Sequence, residues 1–176
     1  GVLNNNRKDL NQYNQDLAVD TESNTFDECI VDADVFIGVS GANLLKESHL
    51  LNMSANPIIF ALANPDPEIL PSDAHQIRND IVMATGRSDF PNQVNNVLGF
   101  PFLFRGALDA KATEINDKML IAASKALASL AKEPVPQDVL KAYGLKSLSF
   151  GPEYIIPKPF DSRLIDWVAK AVQDAA

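Results

Sequence analysis

Three side-chain carboxamides and one serine–glycine pair are the groups of this chain best suited to ligand chemistry. Asn64 follows the apolar run Ile58-Ile59-Phe60-Ala61-Leu62-Ala63 and precedes the rigid polar string Pro65-Asp66-Pro67-Glu68. A carboxamide carries donors and an acceptor together, so at that place it can hold a ligand carboxamide, hydroxyl or carboxylate. Asn95 and Asn96 close a second polar stretch, residues 84–96, which again follows an apolar run, Ile81-Val82-Met83-Ala84. Ser40 and Gly41 follow a third, Asp34-Val35-Phe36-Ile37-Gly38-Val39, where a glycine lets backbone come close to a ligand.

Each of these positions also has a purely local reading. Asn64 before Pro65 equally starts a turn through its own side chain. Asn95 and Asn96 equally sit in the first turn of a helix, and Ser40-Gly41 equally makes a simple turn. Arg87 after Thr85-Gly86 can pair with a carboxylate or phosphate, yet Asp89 stands two residues on and an internal pair is expected. Lys158, between two prolines, is expected to be exposed. His49 and His75 are isolated and read as surface or helix-packing residues. Asp32, Asp34, Asp66 and Glu68 read as solvated turn residues. With one cysteine, Cys29, and two separated histidines, no metal-ligand spacing is present, nor is a Ser-His-Asp set or a P-loop.

These candidates need a scaffold that brings them to one edge. Apolar runs of this length read as strands buried on both faces of a parallel sheet, predicted over 34–39, 58–63 and 81–84. Helices are expected over 26–33, 44–53 and 72–78, the last with Ser72 as cap. From Gln93 the apolar residues Val94, Val97, Leu98, Phe102 and Leu103 recur at helical spacing, which predicts a helix carrying Asn95 and Asn96 near its start, despite Pro101. A long amphipathic helix is expected from a cap at Thr113 to Leu130, with Pro134 and Pro136 beyond it. A short helix over 138–143 closed by Gly144 and a last one over 162–172 complete the order, while 1–16 reads as a loop. Strand and helix alternate to residue 100 and helices dominate afterwards. That is an α/β fold: the second half of a Rossmann-like, doubly wound parallel sheet followed by a helical C-terminal segment. Ligands bind at the carboxyl edge of such sheets. No G-x-G-x-x-G is present, and Gly38-Val39-Ser40-Gly41 has the wrong spacing.

Composition sets the outer limits. The 176 residues are 46% hydrophobic, enough for one core, and no run approaches the ~20 apolar residues that span a bilayer. A formal charge of -8 with no basic cluster longer than Arg7-Lys8 argues against nucleic acid as partner. Residues 1–20 lack the charged-then-apolar pattern of a secretory signal, and the lone cysteine fits a reducing compartment, so a cytoplasmic location is expected. The start at Gly1-Val2-Leu3, without methionine, suggests a processed or truncated product.

The strings Phe60-Ala61-Leu62-Ala63-Asn64-Pro65-Asp66-Pro67-Glu68, Ala84-Thr85-Gly86-Arg87-Ser88-Asp89-Phe90-Pro91-Asn92-Gln93-Val94-Asn95-Asn96-Val97-Leu98-Gly99-Phe100-Pro101 and Tyr154-Ile155-Ile156-Pro157-Lys158-Pro159-Phe160-Asp161 closely resemble the NAD-binding domain of bacterial malic enzymes. The resemblance covers residues 26–172 and extends to the hybrid forms that carry a phosphotransacetylase-like domain. It implies that residues 1–176 are a partial NAD(P)-binding domain. It also implies oxidative decarboxylation of L-malate to pyruvate and CO2 with NAD or NADP, aided by Mg2+ or Mn2+ that polarises the C2 oxygen and stabilises the enolate. By resemblance, Asn64 and Asn95 contact malate or the nicotinamide edge, Asn96 assists, and Ser40 and Gly41 flank the cofactor. The family's tyrosine and lysine for acid/base catalysis, its acidic metal ligands and its glycine-rich turn have no counterpart here. The resemblance places them upstream, with residues 1–3 lying just after the second strand. The chain is therefore expected to need that missing N-terminal part, to be inactive alone, and to assemble as a homo-oligomer. Arg7 or Lys8 near a 2′-phosphate would favour NADP. Two other readings remain: a non-catalytic module of nucleotide fold that binds a partner or holds subunits together, and another NAD(P)-dependent dehydrogenase, such as one acting on amino acids.

Overall fold

The structure is a computed structural model and describes residues 2–176; the part of the expectation about residues 1–3 that rests on Gly1 lies outside the described residues. The elements run α1 (Gln12–Asp16), α2 (Phe26–Cys29), β1 (Val35–Gly38), α3 (Glu47–Asn52), β2 (Ile58–Ala61), α4 (Pro71–Ile77), β3 (Val82–Thr85), a 3-10 turn (Asn96–Leu98), α5 (Phe100–Asp109), α6 (Asp117–Leu130), α7 (Gln137–Ala142) and α8 (Leu164–Asp174). The strands form one parallel sheet in the order β1-β2-β3. Parallel neighbours need a crossover, and the segments holding α3 and α4 supply the two required here. The α/β architecture expected from the sequence is the one observed.

The register aligns Val35 with Ile58 and Val82, and Gly38 with Ala61 and Thr85. All three strands therefore finish at one level. One face of the sheet is sealed: Ile59, Ala61 and Met83 pack with Ile30, Leu45, Leu50, Met53, Ile69, Ala74 and Ile81 beneath α2, α3 and α4. The other face corrects the expectation of strands buried on both sides. Val35 and Ile37 are 49% and 63% exposed, because the crossover helices land on one side while α5, α6 and α8 pack chiefly against one another around Leu98, Met119, Leu130, Leu164, Val168 and Val172. What lies beside the open face is an apolar groove of about 450 Å³, where Ile58, Phe60 and Val82 look across at Ala128, Phe150 and Ile155.

Helix starts follow backbone-donor chemistry more closely than apolar spacing. Thr25 and Glu28 form a reciprocal capping box at α2. α4 begins with Pro71 after Leu70, so Ser72 lies inside the first turn and does not cap it. The helix expected from Gln93 starts only at Phe100. Pro101 stands in its first turn, where its missing N–H costs nothing, and the chain before it forms a bridge at Gln93 and the 3-10 turn. At α6 the cap is Asn116, accepting from Met119 N, and not Thr113. Gly144 closes α7 with φ +65 as expected. Inside the segment read as loop, Asn11 caps the short α1.

Two contacts tie the layers together. The Arg78 guanidinium donates to the carbonyls of Leu50, Met53 and Ser54 and pairs with Asp80, joining the end of α3 to the start of β3. Gly106 lies where α5 meets α8: a Cβ there would stand 2.4 Å from the Ala169 carbonyl oxygen and 2.6 Å from Val172 Cβ. Gly106→Ala is expected to cost about 1–3 kcal/mol of stability through overpacking. Denaturant unfolding reads this, and an unchanged midpoint would contradict the closeness of the two helices.

Candidate functional site

Level strand ends put three loops on one edge: residues 39–46 after β1, 62–70 after β2 and 86–95 after β3. Asn64 is exposed on this edge. Its side chain makes no hydrogen bond among the described residues, so the local reading, a turn held by its own carboxamide, is not what the structure contains. A Cβ added to Gly86 would lie 3.5 Å from Asn64 Nδ2 and 3.9 Å from the Val94 carbonyl oxygen. The carboxamide of Asn64 and the backbone leading into Asn95 thus converge around Gly86. Parallel pairing carries on past β3, since Val94 N donates to Thr85 O at 2.8 Å, and this holds residues 93–95 against the edge.

Asn95 caps the 3-10 turn: its Oδ1 accepts from Val97 N at 3.0 Å. Its NH2 group makes no hydrogen bond among the described residues. Asn96 is the first residue of that turn and is exposed. Neither lies in the helix expected from the spacing. Ser40 and Gly41 lie beyond β1, with Ser40 N donating to Glu68 Oε1 at 3.1 Å. A Cβ on Gly41 would meet no atom within 4 Å, and the left-handed conformation nearby is taken by Asn43 at φ 57. Nothing among the described residues therefore demands glycine at 41, which leaves space on the outer side of that loop. The edge is an open ledge; the apolar groove of the sheet lies below it, on the open face.

The charged residues near the edge are already engaged. Arg87 grips Asp89 through two hydrogen bonds of 2.9 and 2.7 Å, lies 3.6 Å from Asp66 and stacks over Phe90. The Arg87 hydrogen bond holds the Asp89 carboxyl below its ordinary range. This is the internal pair expected from the sequence. Lys158, expected to be exposed, is half-buried over the Tyr143 ring, and burial lowers its pKa. His49 is a satisfied interior residue: Nδ1 accepts from Lys46 N and Nε2 meets Asp27 at 2.7 Å. His75 lies half-buried in α4. At the other end of the chain, Arg7 is held by Asp9 and by the Val2 carbonyl. Among the described residues no group of three or more His, Cys, Asp or Glu could hold a metal ion.

Two residues escaped the sequence reading. Glu68 is not a solvated turn residue: it is fully buried, and its two oxygens accept from Ser40 N and Ala63 N. The local string Pro65-Asp66-Pro67-Glu68 has the composition of an exposed turn, so the only signal was Gly38, a gap in an otherwise apolar strand. Asn92 is also buried. Its amide donates to the carbonyls of Met83 and Pro152, and its oxygen accepts from Ile155 N at 2.8 Å. Its φ of 54 suits asparagine.

A parallel sheet with exposed amides along its carboxyl edge, and helices packed against it, is the α/β class of fold in which ligands bind at that edge. The chain belongs to the family described as "Malic enzyme, NAD binding domain", whose model matches residues 1–142. It is 56% identical over 176 residues to the NADP-dependent malic enzyme of Halomonas elongata, covering 100% of this chain and 42% of that protein. It is 47% identical over 167 residues to the NAD-dependent malic enzyme of Rhizobium meliloti, covering 95% of this chain and 22% of that protein. The crystal structure of the NAD-dependent malic enzyme from Thermotoga maritima superimposes with a TM-score of 0.82 at 38% identity, covering 100% of this chain and 43% of the other. The chain thus spans less than half the length of these proteins.

Asn92 is the most exacting of the residues that hold the third loop. Asn92→Ala would take a partner from the Ile155 N–H and the Pro152 and Met83 carbonyls, the last of them in a buried bond, and is expected to lower stability by about 1–3 kcal/mol, the cost of one buried unsatisfied group. Thermal unfolding measures this, and a variant as stable as wild type would show the three bonds to be replaceable.

Proposed function

We propose that this chain is the C-terminal part of the NAD(P)-binding domain of a malic enzyme. The complete protein would convert L-malate to pyruvate and CO2 while reducing NAD or NADP. In this reading Ser40 and Gly41 flank the cofactor, Asn64 and Asn95 hydrogen-bond malate or the nicotinamide edge, and Asn96 assists. The observation that carries the reading is the free, exposed carboxamide of Asn64 beside Gly86, next to the backbone that presents Asn95. Family membership and NADP- and NAD-dependent relatives support a nicotinamide cofactor without choosing between the two. Arg7, held by Asp9, gives the 2′-phosphate no stronger claim.

The divalent cation, Mg2+ or Mn2+, would supply Lewis-acid polarisation of the substrate oxygen. Its ligands, and the groups that move protons, are assigned to the remainder of the protein, because the described residues hold no suitable cluster. By itself the chain is accordingly assigned no turnover. The contribution of its own residues is to bind and orient. A cytoplasmic homo-oligomer is proposed as the working assembly, in keeping with an exposed, unpaired Cys29. No helix among the described residues is long and apolar enough to cross a membrane.

In the complete enzyme, Asn64→Ala and Asn95→Ala are each expected to lower kcat/KM for malate at least about tenfold, equivalent to ~1.4 kcal/mol of transition-state stabilisation. Asn64 is exposed and unbonded, so Asn64→Ala should barely change the melting temperature, whereas Asn95→Ala also loses its cap to Val97 N and should lower it slightly. Steady-state reduction of NAD and NADP with malate measures the effect, and wild-type rates in both variants would count against the site assignment.

A further inference from the structure

We infer that Glu68 is a positioning residue that latches two ligand-bearing loops of the sheet edge to each other; the inference rests on the site reading above. The last rung between β1 and β2 is Leu62 N to Gly38 O, at 3.0 Å. Beyond it the two chains diverge, and each carries a backbone donor with no rung left to join: Ser40 N on one side, Ala63 N on the other. Glu68 Oε1 accepts from the first and Oε2 from the second, both at 3.1 Å. One carboxylate thus spans the gap where pairing has ended. The residues immediately involved are Ser40 itself and the neighbour of Asn64.

The surroundings are built for this group. Glu68 is 0% exposed. A Cβ on Gly38 would fall 2.3 Å from Glu68 Cδ, so the glycine inside β1 makes room for the carboxylate, and any side chain there would have to displace it. The Glu68 backbone adds to the hold, since its carbonyl accepts from Leu45 N at 3.0 Å, while the Pro67 carbonyl accepts from Asn43 N. Glu68 enters no ion pair among the described residues. Burying a carboxylate without a cation is unfavourable, and an apolar side chain would fill the space more cheaply. What an apolar group cannot do is meet two N–H donors at once. Among side chains of this length, only a carboxylate presents two acceptor oxygens and no donor; glutamine would set its NH2 against one of the two amides.

The consequence for the site is a fixed spacing between the Ser40-Gly41 loop and Asn64. A misplacement of about 1 Å at groups that orient a substrate can cost about 100-fold in rate. Glu68→Gln keeps the volume and one of the two bonds, so it releases one loop while leaving the fold in place.

The test uses the complete enzyme with Glu68→Gln and, as a control, the core variant Ile59→Ala, which removes a fully buried side chain of the sealed face, inside β2 and away from the two amides that Glu68 holds. Glu68→Gln is expected to lower kcat/KM for malate about 10- to 100-fold, and residue-resolved hydrogen exchange is expected to show lost protection at the amide of Ser40 or Ala63. Ile59→Ala is expected to lower the melting temperature at least as far with kcat and KM near wild type. Where Glu68→Gln does not fold, Glu68→Asp takes its place, since its shorter side chain withdraws the oxygens and the same two readouts apply. Amides that stay protected in the folded variant overturn the latch. Freed amides with wild-type kinetics overturn the positioning role, as do kinetic losses in Ile59→Ala that match those of Glu68→Gln. A fault in the site reading itself shows separately, as wild-type rates in the asparagine variants.

Discussion

Parallel pairing in register is the constraint on which everything else in this chain rests. Because Gly38, Ala61 and Thr85 stand opposite one another, three apolar runs stop at the same height and hand their continuations to one edge. The polar residues that follow are far apart in sequence, and no local preference would bring them together. A slip of one residue in either pairing would exchange the sealed and open faces of the sheet, carrying Ile59 and Met83 out of the core. The apolar core beneath α2, α3 and α4 therefore fixes the height of the edge as well as the stability of the sheet.

At that edge the backbone has to change from ladder to loop, and the sheet does this in two ways. β3 extends its ladder onto Gln93 and Val94 by an isolated bridge. β1 and β2 share a side-chain carboxylate. The result is an edge on which the Ser40, Ala63 and Val94 N–H groups are met from inside the protein, while the carboxamide of Asn64 and the NH2 of Asn95 make no hydrogen bond among the described residues. Rigid backbone with free side-chain amides is what binding requires: the order is already in place before a ligand arrives.

Much of this could be read from the chain itself. Apolar runs ended by polar clusters located all three strands to within a residue or two, and the alternation of strand and helix led to the α/β class. Asn64, Asn95, Asn96, Ser40 and Gly41 all lie on the expected edge. Glu68 and Asn92 escaped that reading for one cause: their roles depend on partners distant in sequence. Glu68 has the neighbours of a turn residue and the environment of a core residue. Asn92 sits in a run of amides, and nothing in its flanks separates the buried one from the exposed ones. The helix expected to run from Gln93 on past Pro101 instead begins at Phe100, with the proline in its first turn. The open face of the sheet was invisible for a further reason, because an apolar run records that a strand avoids water and not which surface does the covering.

The hydrogen bonds of Asn92 also bear on where this domain ends. The family match closes at residue 142, yet Asn92 is held by Pro152 and Ile155. A protein shortened to the matched residues would strip a buried carboxamide of two of its three partners and loosen the exit of the third strand. The folded unit thus extends past the residues that the family model matches, and the proline-rich stretch after residue 150 braces the exit of the third strand as a strut and not as a tail.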